Sequence, residues 1–263
     1  GLAEVCPPNS AAAGAHYTYR DAVGHAMAVL NTGPYGFWRL NEAAGQTQAK
    51  SGVVSNDGTD TGIYTDVTLG ASGPHSGSTS TAATFNGTSS AVKLPVKMAT
   101  ESSYQSISLW FRTSTPLGVL FGYQGQDVTA GTTSGSYNPA LYIGSDGKLR
   151  GQLWMGNPAA AMTSSAPVTD NAWHHVVLSG HGASQELYLD GQRIAALDGA
   201  LALHNAGLTN AYLGAGYLGG SWPGQPNTAG TATYFNGQLA DVAYYTKPLT
   251  AVDVSALHRS ATP

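Results

Sequence analysis

From Tyr35 to Lys247 apolar and polar residues alternate in short runs broken by glycine-containing turns, the period expected of half-buried strands. Four of the breaks are Asn-Gly or Asp-Gly pairs: Asn86-Gly87, Asp146-Gly147, Asp190-Gly191 and Asn236-Gly237. Such pairs readily take the positive backbone angles of a type I′ turn, so each predicts a hairpin, and four of them predict an antiparallel sandwich or barrel. The ends carry a different period. In "YTYRDAVGHAMAVLN", Tyr19, Val23, Ala26, Met27 and Leu30 fall at helical spacing before "NTGP" interrupts, predicting a short helix over about 18–30. In "KPLTAVDVSALHRS", Thr250 and Asp253 have capping-box spacing ahead of Val254 and Leu257, predicting a closing helix over about 251–259.

Histidine is concentrated in "NAWHHVVLSGHGASQELYLDGQRI", residues 171–194. On a strand, Trp173, His175, Val177 and Ser179 share one face, and His174, Val176 and Leu178 the other. The adjacent imidazoles therefore point apart and cannot converge on one metal ion, whereas His181 falls in a turn. The stretch reads as strand, turn and strand.

Composition narrows the class. The 263 residues suffice for one large all-β domain or two small ones. Charged residues are 10 % of the chain and the net charge is -4, so no basic surface exists to follow a phosphate backbone, and nucleic acid is excluded as an expected partner. Cys6 is the single cysteine and has no partner for a disulfide within the chain. No run approaches 18 apolar residues, so membrane insertion is not expected. A start at "GLAEV", without methionine or a basic-then-apolar leader, suggests a piece of a longer protein. Residues 1–17, rich in Pro, Ser and Ala, read as linker, and residues 18–263 as one domain.

Five blocks occur in a familiar order: "PYGFWRLNEAAG", "AATFNGTSSAVKLP", "SISLWFRT", "DNAWHHVVLSGHGASQELYLDGQ" and "FNGQLADVAYYTKPLTAVDVSALH". Together they resemble bacterial laminin G-like domains of the concanavalin A-like lectin and glucanase superfamily. The resemblance implies an all-β, two-sheet antiparallel jelly-roll sandwich with short N- and C-terminal helices. It further implies a carbohydrate-binding or adhesion module of a larger secreted protein, at an extracellular or cell-surface location, with a glycan, a glycoprotein or neighbouring domains as partner. A structural or protein-binding domain without glycan affinity is the alternative.

Catalytic relatives carry Glu-x-Asp-x-Glu on one strand, where alternation aims every carboxyl into the cleft. The four glutamates here, Glu4, Glu42, Glu101 and Glu186, form no such motif, and no Gly-x-Ser-x-Gly elbow is present. An enzyme would have to use scattered acids such as Asp127 with Asp241, so a noncatalytic role is expected. The resemblance also implies one structural calcium ion, with Asp241 in "GQLADVAYY" at the matching position and Asp57, beside Asn56, as the N-terminal ligand. Lys50 stands near the position where relatives commonly carry a carboxylate.

Sugar recognition needs aromatic faces flanked by amides and hydroxyls. Two long glycine-rich stretches, 122–138 and 214–234, supply them: Tyr123, Gln124 and Tyr137 in the first, Tyr217, Trp222, Gln225 and Asn227 in the second. The same aromatics could instead pin their own loops to the sandwich. Trp38, Trp110 and Trp173 lie in strand-like blocks and read as core, and Trp154 fits either role.

Overall fold

The computed structural model describes residues 24–54, 60–95, 104–131, 135–156, 160–202, 207–226 and 231–261. The expected linker with Cys6, the first part of the N-terminal helix, and the candidates Asn56, Asp57 and Asn227 lie outside these residues.

The chain opens with helix α1 (His25–Asn31), followed by β1 (Gly36–Trp38), β2 (Gln48–Ala49), β3 (Gly62–Thr65) and β4 (Thr68–Ser72). Next come β5 (Thr81–Asn86), β6 (Ala91–Leu94), β7 (Tyr104–Arg112), β8 (Gly118–Gln124), β9 (Tyr137–Ile143) and β10 (Lys148–Gly151). Then follow β11 (Met162–Pro167), β12 (His174–His181), β13 (Ser184–Leu189), β14 (Gln192–Asp198) and β15 (Asn210–Leu213). The last elements are β16 (Ala215–Tyr217), β17 (Ala232–Tyr234), β18 (Asn236–Tyr245) and helix α2 (Ala251–Arg259).

Two eight-stranded antiparallel sheets result. The first runs β14-β13-β12-β7-β18-β5-β4, with β1 also paired to β18; the second runs β11-β10-β9-β8-β15-β6-β3-β2. Their inner faces enclose the main core, which includes Trp38, Phe85, Ile107, Leu109, Phe111, Phe121, Leu141, Val176, Leu178, Leu213 and Tyr244. This is the all-β, two-sheet sandwich with two short helices that the pattern and the resemblance imply.

The outer face of the first sheet is covered as well. Ala26 and Val29 of α1 and Val254 and Leu257 of α2 pack on Val177, Tyr188, Ala243 and Tyr245. Because both faces are covered, all but the terminal residues of β7 are buried, the polar Gln105, Ser106 and Ser108 included. The predicted capping box is present: Thr250 Oγ1 accepts from the Asp253 backbone N–H, and the Asp253 carboxylate accepts from the Thr250 N–H.

Only two of the four Asn-Gly and Asp-Gly signals close hairpins. Asp190-Gly191 joins β13 to β14 with both residues at positive φ, 51° and 80°, as a type I′ turn requires. Asp146-Gly147 joins β9 to β10, but only Gly147 has positive φ, so the turn is of another type. Asn86-Gly87 carries the chain from the first sheet to the second, with the Asn86 side-chain oxygen accepting from the N–H groups of Thr88, Ser89 and Ser90. Asn236-Gly237 lies within the start of β18. The chain bends at three of the four pairs, but the long-range pairing of the flanking runs decides whether they meet.

Candidate functional site

The two glycine-rich stretches meet over the outer face of the second sheet. Neither is wholly loop: Tyr123 and Gln124 end β8, Tyr137 begins β9, and Tyr217 ends β16, which pairs with β17 to form a small ribbon. That ribbon and the turn after it cover the sheet. Leu218 and Trp222 pack on Val119 of β8 and Tyr142 of β9, and Ala215 packs with Tyr212 of β15 and Val128. Glycine permits the close approach, since a Cβ at Gly216 would stand 3.0 Å from Val119 Cγ1. The turn is also hydrogen-bonded down: Tyr142 Oη donates to the Pro223 carbonyl at 2.7 Å, and the Ser145 N–H donates to the Gly224 carbonyl at 2.9 Å.

A cleft of about 280 Å³ remains where the stretches face each other. Its walls are Tyr137, Trp154, Leu208 and Trp222, with Gly135, Ser136, Gly220 and Ser221 at the rim. Trp154 and Trp222 stand with ring centroids 6.3 Å apart and planes tilted 42°, and Tyr142 meets Trp222 edge to face. Trp154 is half-buried and Trp222 only 3 % exposed, so Trp154 offers a wall face and Trp222 mainly supports it. Burial raises the Tyr137 hydroxyl above its ordinary range, keeping it a neutral donor.

The predicted sugar contacts therefore divide. Tyr137 and Trp222 come together in the cleft. Tyr217 stacks edge to face behind Tyr137 at 6.2 Å and is buried; its hydroxyl donates to the Asp127 carbonyl. Gln124 is 1 % exposed and holds the ribbon, its Oε1 accepting from the Tyr217 N–H and its Nε2 donating to the Gln126 carbonyl. Tyr123 belongs to the core between the sheets, where its hydroxyl accepts from Gln105 Nε2, because a register shift in β8 after Val119 puts Phe121 and Tyr123 on the inner face. Tyr123 is accordingly not a wall residue. Gln225, half-buried, lies just beyond the cleft-forming turn. Trp154 fits either role in sequence because a lone Trp beyond a strand-like run carries no sign of the loop that will face it.

Asp241 sits elsewhere, beneath the helices on the outer face of the first sheet. The pairing of β18 with β7 slips between Ala240 and Ala243, and Asp241 takes φ 48°, which re-aims its side chain outward. Arg39 Nε donates to Oδ1 at 3.1 Å, and Oδ2 meets His75 Nε2. Burial pushes this carboxyl up, but the bond to His75 and the neighbouring His25 and Arg39 outweigh burial and hold it at about 2. Calcium requires six to eight oxygen donors. Here the carboxylate faces two imidazoles and a guanidinium, so this donor set does not fit the calcium ion expected from the resemblance. The scattered acid pair fails too: Asp127 lies on the second sheet's outer face with Lys93 and Tyr212, on the opposite side of the sandwich from Asp241.

The opening histidines behave as alternation predicts. His174 takes the face of Val176 and Leu178, at the edge of the sandwich against Phe111 and between Asp190 and Asp170, and His175 takes the opposite face, under the helices and stacked on Trp110. His25 and His75, which carried no sequence signal, are brought beside Asp241 only by the folded chain.

Among solved structures, the Trypanosoma rangeli sialidase in complex with sialic acid aligns with 86 % of this chain at 14 % identity and a TM-score of 0.57. The aligned part is 33 % of that chain, so this chain spans about a third of the sialidase's length. Domain 4 of AbnA, an extracellular arabinanase from Geobacillus stearothermophilus, in complex with arabinotriose, aligns at 17 % identity over 84 % of this chain and 86 % of that one, with a TM-score of 0.46. The carbohydrate-binding module CBM40 of the Ruminococcus gnavus IT-sialidase, bound to sialyllactose, aligns at 20 % identity over 62 % and 85 %, with a TM-score of 0.44. Likeness at such identities bears on fold alone. Comparison with curated proteins finds no match. The model of the Laminin_G_3 family matches residues 86–255, the stretch that builds most of both sheets and all of the cleft, and the chain belongs to this family of the concanavalin A-like lectin/glucanases superfamily.

Proposed function

We propose that the chain is a noncatalytic carbohydrate-binding module, acting at an extracellular or cell-surface location, that takes a glycan end into the cleft between residues 135–137, 154 and 220–222. The observation that supports this reading is the half-buried Trp154 face set beside Tyr137, Ser136 and Ser221 in a space of about 280 Å³, which suits one or two sugar rings. Aromatic faces take up the C–H-rich side of a pyranose, and hydroxyls at the rim bond its ring substituents. The sialidase in complex with sialic acid supplies a glycan-handling protein with the same fold in part of its chain. No helix among the described residues is long and apolar enough to cross a membrane.

The test is a glycan array followed by titration calorimetry with the strongest hit. Trp154→Ala should weaken binding at least about tenfold, the loss of one good contact, in a variant shown by cooperative melting to remain folded, since the ring also packs on Trp222. Tyr217→Ala is unsuited to the purpose, because Tyr217 is structural. An array without signal, or binding that survives Trp154→Ala and Tyr137→Ala together, would move the reading to a protein-binding or domain-packing role.

A further inference from the structure

Between α1, the loop from Gly73 to Ser80 and the bulge in β18, three side chains place ligand atoms within 4.8 Å of one another: His25, His75 and Asp241. They come from separate parts of the chain, and each is held by its surroundings. His25 Nδ1 bonds the Leu257 carbonyl at 2.9 Å and Ser260 Oγ at 3.0 Å. A proton on Nδ1 leaves the Nε2 lone pair directed into the cluster, the arrangement by which a backbone carbonyl orients a metal-ligating imidazole. Arg39, itself bonded to Ser80, occupies one Asp241 oxygen and leaves the other facing His75. His75 Nδ1 is buried without a hydrogen-bond partner among the described residues.

We infer that His25, His75 and Asp241 form a site for a divalent transition-metal ion of the zinc class, bound through two imidazole nitrogens and one carboxylate oxygen. Two nitrogens with one oxygen match the three-ligand sets that hold zinc and leave a fourth position for water. Bonds of ~2.0–2.1 Å to a tetrahedral ion put ligand atoms about 3.3 Å apart, reached from the observed spacing by small side-chain rotations. Arg39 beside the carboxylate opposes an ion held by charge alone, which disfavours calcium and magnesium, whereas imidazole donors hold a borderline-soft ion through directed lone pairs. The ion displaces the long 3.3 Å bond from Trp110 Nε1 to His25 Nε2 and separates His75 from Asp241. It reaches the site past His75, the least buried of the three imidazole and carboxylate groups at 8 % side-chain exposure.

The full chain, stripped with chelator, is dialysed against Zn²⁺ and analysed for metal, and its melting temperature is followed with Zn²⁺ and with Ca²⁺. Co²⁺ substitution is read from its visible absorption. The expected result is one equivalent of zinc, a rise in melting temperature with Zn²⁺ and none with Ca²⁺, and the visible bands of low-coordinate Co²⁺. His75→Ala, in the loop between β4 and β5, should retain the fold and weaken zinc binding at least about tenfold. His174→Ala, which removes the imidazole on the opposite face of β12 between Asp170 and Asp190, should leave zinc binding unchanged. Absence of stoichiometric zinc, equal binding by His75→Ala, or loss of binding in His174→Ala would overturn the proposal; the first outcome leaves a metal-free Arg–Asp–His network.

Discussion

Trp222 tests whether the turn over the second sheet is held by packing or merely lies there. The side chain is 3 % exposed and packs against Val119, Tyr142, Leu218 and Trp154. A buried Trp removes roughly 150–250 Å² from water, which at ~25 cal/mol per Å² amounts to about 4–6 kcal/mol. Burial already present in the denatured chain reduces this by about 10–40 %. The adjoining cleft of about 280 Å³ lets water into the vacated space, so no sealed cavity adds a further penalty. Trp222→Ala should therefore cost about 3 kcal/mol. In urea denaturation the midpoint should fall with the slope unchanged, and melting should drop by roughly 6–12 °C. Trp222→Phe should recover more than half of the loss. A cost below about 1 kcal/mol would refute the reasoning, because the turn would then be held by its hydrogen bonds to Tyr142 and Ser145 and not by the indole.

Two further outcomes follow from the geometry. Gly216→Ala places a Cβ 3.0 Å from Val119 Cγ1 and should destabilise the fold by about 1–3 kcal/mol; a Val119→Ala background should relieve most of that increment, and additive losses in the double variant would rule out the contact as its cause. His174 bonds Asp190 through Nδ1 at 2.7 Å and Asp170 through Nε2 at 3.1 Å, so both nitrogens donate and the ring is held as imidazolium. The bond to Asp190 raises its pKa above the unfolded value despite partial burial, with Asp170 adding to the effect. The stabilisation is then fully present below about pH 6.5 and is lost as pH rises through the folded pKa. An NMR titration placing His174 at or below about 6.5 would contradict this, as would a His174→Gln variant whose stability keeps a constant offset from the parent across that range.

The residues alone determine a good deal here. Alternation along β7, β12 and β13 predicts strands and places His174 and His175 on opposite faces, because a strand's period of two is a local property. The Thr250 capping box likewise predicts α2, since its partners lie within one turn. Asp190-Gly191 shows the same locality, but Asn86-Gly87 shows its limit: an identical preference bends the chain between sheets because the runs on either side pair with distant strands. The candidate site lay mostly beyond that limit. Tyr137 and Trp222 were legible as aromatics in glycine-rich stretches, yet whether such rings face solvent, a neighbour or the core depends on what covers the sheet, and β16 and β17 cover it. Trp154 joins them across 68 residues of sequence from Trp222. His25, His75 and Asp241 are spread over 216 residues, and no spacing rule connects a helix, a loop and a bulged strand. Their convergence comes from tertiary packing of α1 and α2 on the first sheet, and from a bulge that turns one aspartate out of the strand's regular register.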